Sequence, residues 1–239
     1  MSVAIAKNYQ DNYTPDVIPS QSGLNRYWDP YLGVKGVKLK PGEFCLSQKN
    51  EMLVTVVGSS LALCVRDRRR GLMGMSHFMV PKTGFSAMDL GASSLVESYG
   101  YYVLDEFLGS FYEQGATPRS LEATIVGGAQ IWTLTKQCAE ATLDFTRYYL
   151  GQAKIRTAGE FVHSPYPCKV RMMAEDHLPN VSVLYDYTDT IGIREMKYLQ
   201  CLRADWLLGQ RKTSMRIGKK AAKKEKTRSV RKYKVWIDD

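Results

Sequence analysis

The sequence predicts an α/β fold, a single layered sandwich domain of mixed β-sheet with two long helices, flanked by an irregular N-terminal arm and a basic C-terminal tail. Three observations predict it. Short β-rich runs are punctuated by Gly, Pro, Asn and charged residues. Two long segments repeat apolar residues at three- and four-residue steps. The strands and helices interleave, which is the pattern of a layered domain. A chain of 239 residues with 44% apolar content can fill one good core, and one domain with appendages is favoured over two.

Residues 1–30 have little hydrophobic periodicity and read as an irregular arm, with Tyr27-Trp28-Asp29-Pro30-Tyr31 as an aromatic knot packing on the domain edge. Val37 to Leu39, Phe44 to Leu46 and Leu53 to Val57 are short strands, separated by Lys40-Pro41-Gly42 and Lys49-Asn50-Glu51. Leu61 to Val65 is a nearly unbroken apolar run of the kind buried on both faces of a sheet. Arg68-Arg69-Arg70-Gly71 is a solvated turn, and Leu72 to Val80 returns as another strand. From Ser93 to Gly115 the apolar positions Leu95, Tyr99, Tyr102, Val103, Phe107, Leu108 and Tyr112 predict an amphipathic helix closed by Gly115.

Leu121 to Val126 is a strand that Gly127-Gly128-Ala129 breaks before a second helix running to about Leu150. Lys154 to Thr157, Lys169 to Met173 and Ser182 to Tyr185 are further strand candidates, and a last helix is expected over about 193–208. The expected organisation is an arm over 1–30, a folded domain over 31–209 and a basic, disordered tail over 210–239.

Charge divides along the same line. Residues 1–209 carry 21 Lys/Arg and 21 Asp/Glu, whereas 210–239 carry 12 against 3, so the tail supplies the whole net charge of +9. A neutral domain disfavours nucleic acid as the partner, since the tail has few interleaved aromatics to stack on bases. The five cysteines are scattered and contain no C-x-x-C pair, which argues for reduced thiols and against a zinc site. No metal and no cofactor are expected. No run of eighteen apolar residues is present and the polar stretch 1–23 does not read as a secretory signal, so the expected compartment is the cytoplasm.

The chemistry is concentrated in Val54 to Asp67 and Gly74 to Pro81. Nucleophilic hydrolysis needs a nucleophile, a base that takes its proton and returns one to the leaving group, and donors for the oxyanion. A glycine-containing turn at a strand end suits this work. Gly58 permits a tight backbone, and Ser59, Ser60 and Leu61 are placed to offer nucleophile and donors. His77 lies in an apolar strand between Met75 and Met79, seventeen residues beyond Ser60. His163 and His177 read as solvated loop residues, and Asp67 as the closure of a strand turn.

These two segments resemble the chemoreceptor glutamine deamidases, the CheD family, in which a Gly-Ser-Cys turn supplies a nucleophilic cysteine and a His-Phe-Met-Leu-Pro segment seventeen residues later its histidine. The nucleophile slot here holds Ser60. The resemblance implies that His77 is the base and that a threonine a few residues before the nucleophile orients it. That position is Thr55, or Val54 with a one-residue shift. Gly127-Gly128-Ala129 matches a family Gly-Gly-Ala motif that would approach the site. The family's later Gly-Glu-Arg-Asn and Gly-Gly-x-x-x-Arg segments are absent, replaced by Leu143 to Arg147 and His163 to Lys169.

The resemblance covers about residues 25–205 and implies hydrolysis of glutamine side-chain amides on methyl-accepting chemotaxis receptors. Serine beside histidine differs from cysteine beside histidine. A thiolate–imidazolium pair can exist before reaction, whereas a hydroxyl loses its proton during reaction and the imidazolium then formed calls for a buried carboxylate. No Asp or Glu within the motif meets that need, and Cys64 lies four strand residues away. The alternative is therefore a catalytically inactive member acting as a regulatory protein that binds receptors or a chemotaxis phosphatase.

Overall fold

The computed structural model describes residues 23–48, 50–80, 93–185 and 190–202. Ten strands form two five-stranded sheets. The first has the order β1 (Asn25–Asp29), β2 (Val34–Lys38), β4 (Glu51–Val57), β9 (Cys168–Met172) and β10 (Asn180–Val183). The second has the order β3 (Phe44–Ser47), β6 (Leu72–Phe78), β5 (Leu61–Asp67), β7 (Leu121–Gly127) and β8 (Arg156–Val162). Each sheet is mixed, with β2 parallel to β4 in one and β7 parallel to β8 in the other. Helices α1 (Ser93–Glu113) and α2 (Thr133–Gln152) pack on the second sheet, and a third helix, α3, spans residues 190–202.

The layering follows from strand parity. Side chains of a strand alternate between faces. On β5, Leu61, Leu63 and Val65 join Phe107, Leu108 and Phe111 of α1 in one apolar cluster, while Ala62 and Cys64 join Val37, Leu53, Met75 and Val170 in a second cluster between the sheets. A strand covered on both faces must be apolar throughout, which is why 61–65 shows no alternation in its sequence. His77 shares parity with Met73 and Met75 on β6, so it faces the first sheet rather than the helices.

Four expectations are corrected. The arm over 1–30 is not irregular throughout, because Asn25–Asp29 forms an edge strand antiparallel to β2. Its side chains are mostly exposed, so it lacks the apolar alternation that marks a strand. The aromatic knot does not pack as a unit: Trp28 is 60% and Tyr31 96% exposed. The strand expected at 154–157 starts two residues later, because Lys154 takes a left-handed conformation (φ 54°) that closes α2 before β8 begins. The last helix is already formed at residue 190, ahead of the expected start at 193. Its expected end, the stretch 1–22 of the arm and the basic tail lie outside the described residues, as does Leu95 among the expected helix positions for side-chain contacts.

Candidate active site

Between Val57 and Leu61 the chain leaves the first sheet and enters the second, so the turn Gly58-Ser59-Ser60 bridges the two layers. Two backbone contacts brace it from β7's end. The Gly128 amide donates to the Ser60 carbonyl at 3.0 Å and the Ala129 amide to the Gly58 carbonyl at 2.8 Å. Gly127 sits at φ 122°, and a Cβ there would lie 2.3 Å from the Ser60 carbonyl oxygen, so only glycine fits. Gly127 and Gly128 thus shape the turn from behind. The Ser59 hydroxyl points away toward α2, 2.6 Å from the Thr135 hydroxyl.

Ser60, His77 and Thr55 lie in one line. Ser60 Oγ is 2.7 Å from His77 Nε2, and His77 Nδ1 is 2.8 Å from Thr55 Oγ1. Thr55 Oγ1 donates to the Leu39 carbonyl at 2.9 Å. Proton counting fixes the order. Thr55 has one hydroxyl proton and the Leu39 carbonyl can only accept, so His77 Nδ1–H donates to Thr55 and the Nε2 lone pair faces Ser60. That is the tautomer a base needs to take the Ser60 proton. Thr55 comes from the first sheet, His77 from the second and Ser60 from the connection between them. Val54 belongs to the same strand but has no polar side-chain atom to offer, and the contact with His77 is made by Thr55.

His77 is fully buried, and its pKa is pushed down to about 3 by that burial and then by the charge of Arg194, with the Leu39 carbonyl working weakly in the other direction. The imidazole is therefore neutral at physiological pH, and the imidazolium that forms when it takes a proton has no carboxylate behind it. Cys64 faces the same interlayer cluster but is paired with Met75 rather than His77, and burial pushes its thiol well up. Leu61 is part of β5 and its side chain packs toward the helices. Asp67 closes its turn by accepting from the Arg69 and Arg70 amides and the Ser120 hydroxyl.

One participant carries no signal in the motif. Glu195 of α3 is fully buried, and its carboxylate accepts from three consecutive backbone amides: Gly58 N to Oε1 at 2.8 Å, Ser59 N to Oε2 at 2.8 Å and Ser60 N to Oε1 at 3.2 Å. Ser60 Oγ also lies 2.5 Å from Glu195 Oε1. Gly58 makes room for it, because a Cβ there would fall 2.9 Å from Glu195 Oε2 and 2.7 Å from Ile131. Beside it, Arg194 Nη2 donates to the Val56 carbonyl at 2.5 Å. The site thus brings together a hydroxyl and an imidazole within hydrogen-bond reach, a second hydroxyl on the far ring nitrogen and three backbone amides held by one glutamate side chain. Among the described residues no group of His, Cys, Asp and Glu has the arrangement of a metal site, and no helix is long and apolar enough to cross a membrane.

Comparison with known proteins places the chain. The family model for CheD chemotactic sensory transduction matches residues 79–181, a segment that begins just beyond His77. A probable chemoreceptor glutamine deamidase CheD of Halorhodospira halophila is 32% identical over 188 residues, covering 77% of this chain and 87% of that protein. A second, of Methylobacillus flagellatus, is 31% identical over 81% of this chain and 96% of that protein. Among solved structures, the Bacillus licheniformis hypothetical protein YfiH aligns with a TM-score of 0.34 at 13% identity over 66% of this chain and 68% of that one, too low to bear on fold or function. By its similarity to these relatives over most of its length, the chain belongs to the CheD family.

Proposed function

We propose that this protein hydrolyses glutamine side-chain amides of chemotaxis receptors to glutamate in the cytoplasm, with Ser60 as nucleophile, His77 as base and acid, Thr55 as its orienter and the amides of Gly58, Ser59 and Ser60 as oxyanion donors. The observation that carries this reading is the Thr55–His77–Ser60 line, with 2.8 and 2.7 Å contacts ending at a cluster of convergent amides. Ser60 Oγ attacks the amide carbon as its proton passes to His77 Nε2, and the carbonyl oxygen gathers charge on the backbone amides. Ammonia leaves with the proton from His77. Water, deprotonated by the same imidazole, then cleaves the ester and frees Ser60.

A second reading, a silent member that binds receptors or a chemotaxis phosphatase, is favoured by one observation. The proton must move onto a buried imidazole that Arg194 already disfavours as a cation. Incubating receptor peptides with the protein and reading them by mass spectrometry decides between the two. A gain of about 1 Da at glutamine, absent in Ser60→Ala, supports hydrolysis. Unchanged peptides that nevertheless bind the protein support the silent reading.

A further inference from the structure

The carboxylate of Glu195 lies where chemistry should happen. A glutamate carboxylate is the product of glutamine hydrolysis, and the two side chains have the same length. Glu195 already accepts from the three amides that an oxyanion would need. It also competes with His77 for Ser60: the hydroxyl has one proton, and a proton directed at Glu195 Oε1 is one that Nε2 does not receive. Ser59, Ser60, His77 and Glu195 are all fully buried, so α3 closes the site to solvent. Its hold is structural as well as polar. Tyr198, Leu199 and Leu202 join the helix-side core, and the Tyr198 hydroxyl bonds that of Tyr99 on α1.

We propose that Glu195 is an internal ligand of the site, a product-like occupant that α3 inserts in cis and that a substrate helix must displace. This rests on the hydrolase reading. A glutamyl-length side chain projecting from an α-helix reaches Ser60 with its terminal oxygens on the amides, so Glu195 occupies the place that a substrate glutamine needs. An asparagine, one methylene shorter, falls short.

Two arms of one experiment, both on the full chain, separate this proposal from the hydrolase reading. In a Ser60→Cys, Cys201→Ser background, alkylation of the new thiol by iodoacetamide is followed by peptide mass spectrometry with and without Glu195→Lys. An unpaired lysine ammonium cannot remain in the buried amide cluster, so α3 should leave and alkylation should accelerate at least about tenfold. Cys45, Cys64, Cys138 and Cys168 are buried and report folding by staying unreactive. If they react, Glu195→Ser takes the place of Glu195→Lys. Equal rates in a folded variant overturn the proposal. In the second arm, Glu195→Gln presents a carboxamide to Ser60. The expected result is its conversion to glutamate, with water consumed and ammonia released, blocked by His77→Ala and absent in Glu195→Asn. Accelerated alkylation without this conversion leaves the occupant in place and overturns the hydrolase reading. Conversion of Glu195→Asn as readily as Glu195→Gln overturns the length selection.

Discussion

Replacing Thr55 by valine keeps the shape of the side chain and removes its hydroxyl, which is the link between His77 and the first sheet. Two contacts end together, Thr55 Oγ1 with His77 Nδ1 at 2.8 Å and with the Leu39 carbonyl at 2.9 Å. Both lie in a region where Thr55 and His77 are fully buried, so water does not replace them. An orphaned buried donor or acceptor costs about 1–3 kcal/mol, and the added methyl returns part of this, for a net loss of about 2–4 kcal/mol. In a domain of this size that corresponds to a fall of about 5–15 °C in Tm. Urea denaturation gives the free energy, and ring-nitrogen NMR of His77 gives the tautomer. Wild type should show the proton on Nδ1, and Thr55→Val a mixture with the proton partly on Nε2. Thr55→Ser keeps the hydroxyl and should lose only about 1 kcal/mol, from one buried methyl. A valine variant within about 0.5 kcal/mol of wild type, with its tautomer unchanged, would refute the Thr55–His77 assignment.

Three further outcomes are expected. Gly127→Ala places a Cβ 2.3 Å from the Ser60 carbonyl at a φ of 122°, so it should lose about 3 kcal/mol or more and shift the Ser60 resonances, measured by denaturation and NMR. Arg194→Met removes the second cause of the low His77 pKa while burial remains, so the value should rise above about 3 yet stay below 6.5 in an NMR titration. Asp105 is raised to about 6 by burial and the neighbouring Glu106, against a hydrogen bond from Tyr149. A carboxyl raised in this way contributes stability below its unfolded value near 4, and the contribution is lost as pH rises through about 6. Asp105→Asn should therefore gain up to about 3 kcal/mol over wild type at pH 8 and little at pH 4, read as two denaturation curves.

Much of the layered fold is legible in the sequence because strands and amphipathic helices leave local marks. The apolar run at Leu61 to Val65, the three-and-four spacing of Tyr102, Phe107 and Leu108, and the Gly127-Gly128 break are all features of adjacent residues. The seventeen-residue spacing of Ser60 and His77 is local in the same sense, since β5 and β6 are neighbours joined by one turn. What stays hidden is long-range. Asn25–Asp29 is a strand only because β2 offers it an edge, and its exposed side chains leave no alternation to read. Glu195 is 135 residues from Ser60, on a helix whose sequence reads as one charged position among many. A clue did exist, as a charged residue beside Met196 and three positions before the apolar Tyr198-Leu199 pair borders the buried face of that helix. Its destination depends on how α3 docks, which no window of sequence contains.

Because the Thr55–His77 contact runs from one sheet to the other, its length is a measure of the spacing between layers. Side chains such as Val37, Leu53, Met75 and Val170 fill the space between the layers and set that spacing. Hydrogen bonds weaken steeply with stretch, whereas each sheet's own ladder does not depend on its distance from the other. The two sheets can thus drift apart by an ångström with every strand still paired and the Thr55–His77–Ser60 line already broken. Mild heat or a trimmed interlayer methionine should silence the site while far-ultraviolet circular dichroism still records an intact β-sandwich, so the chemistry of this chain is a finer gauge of its packing than its secondary structure is.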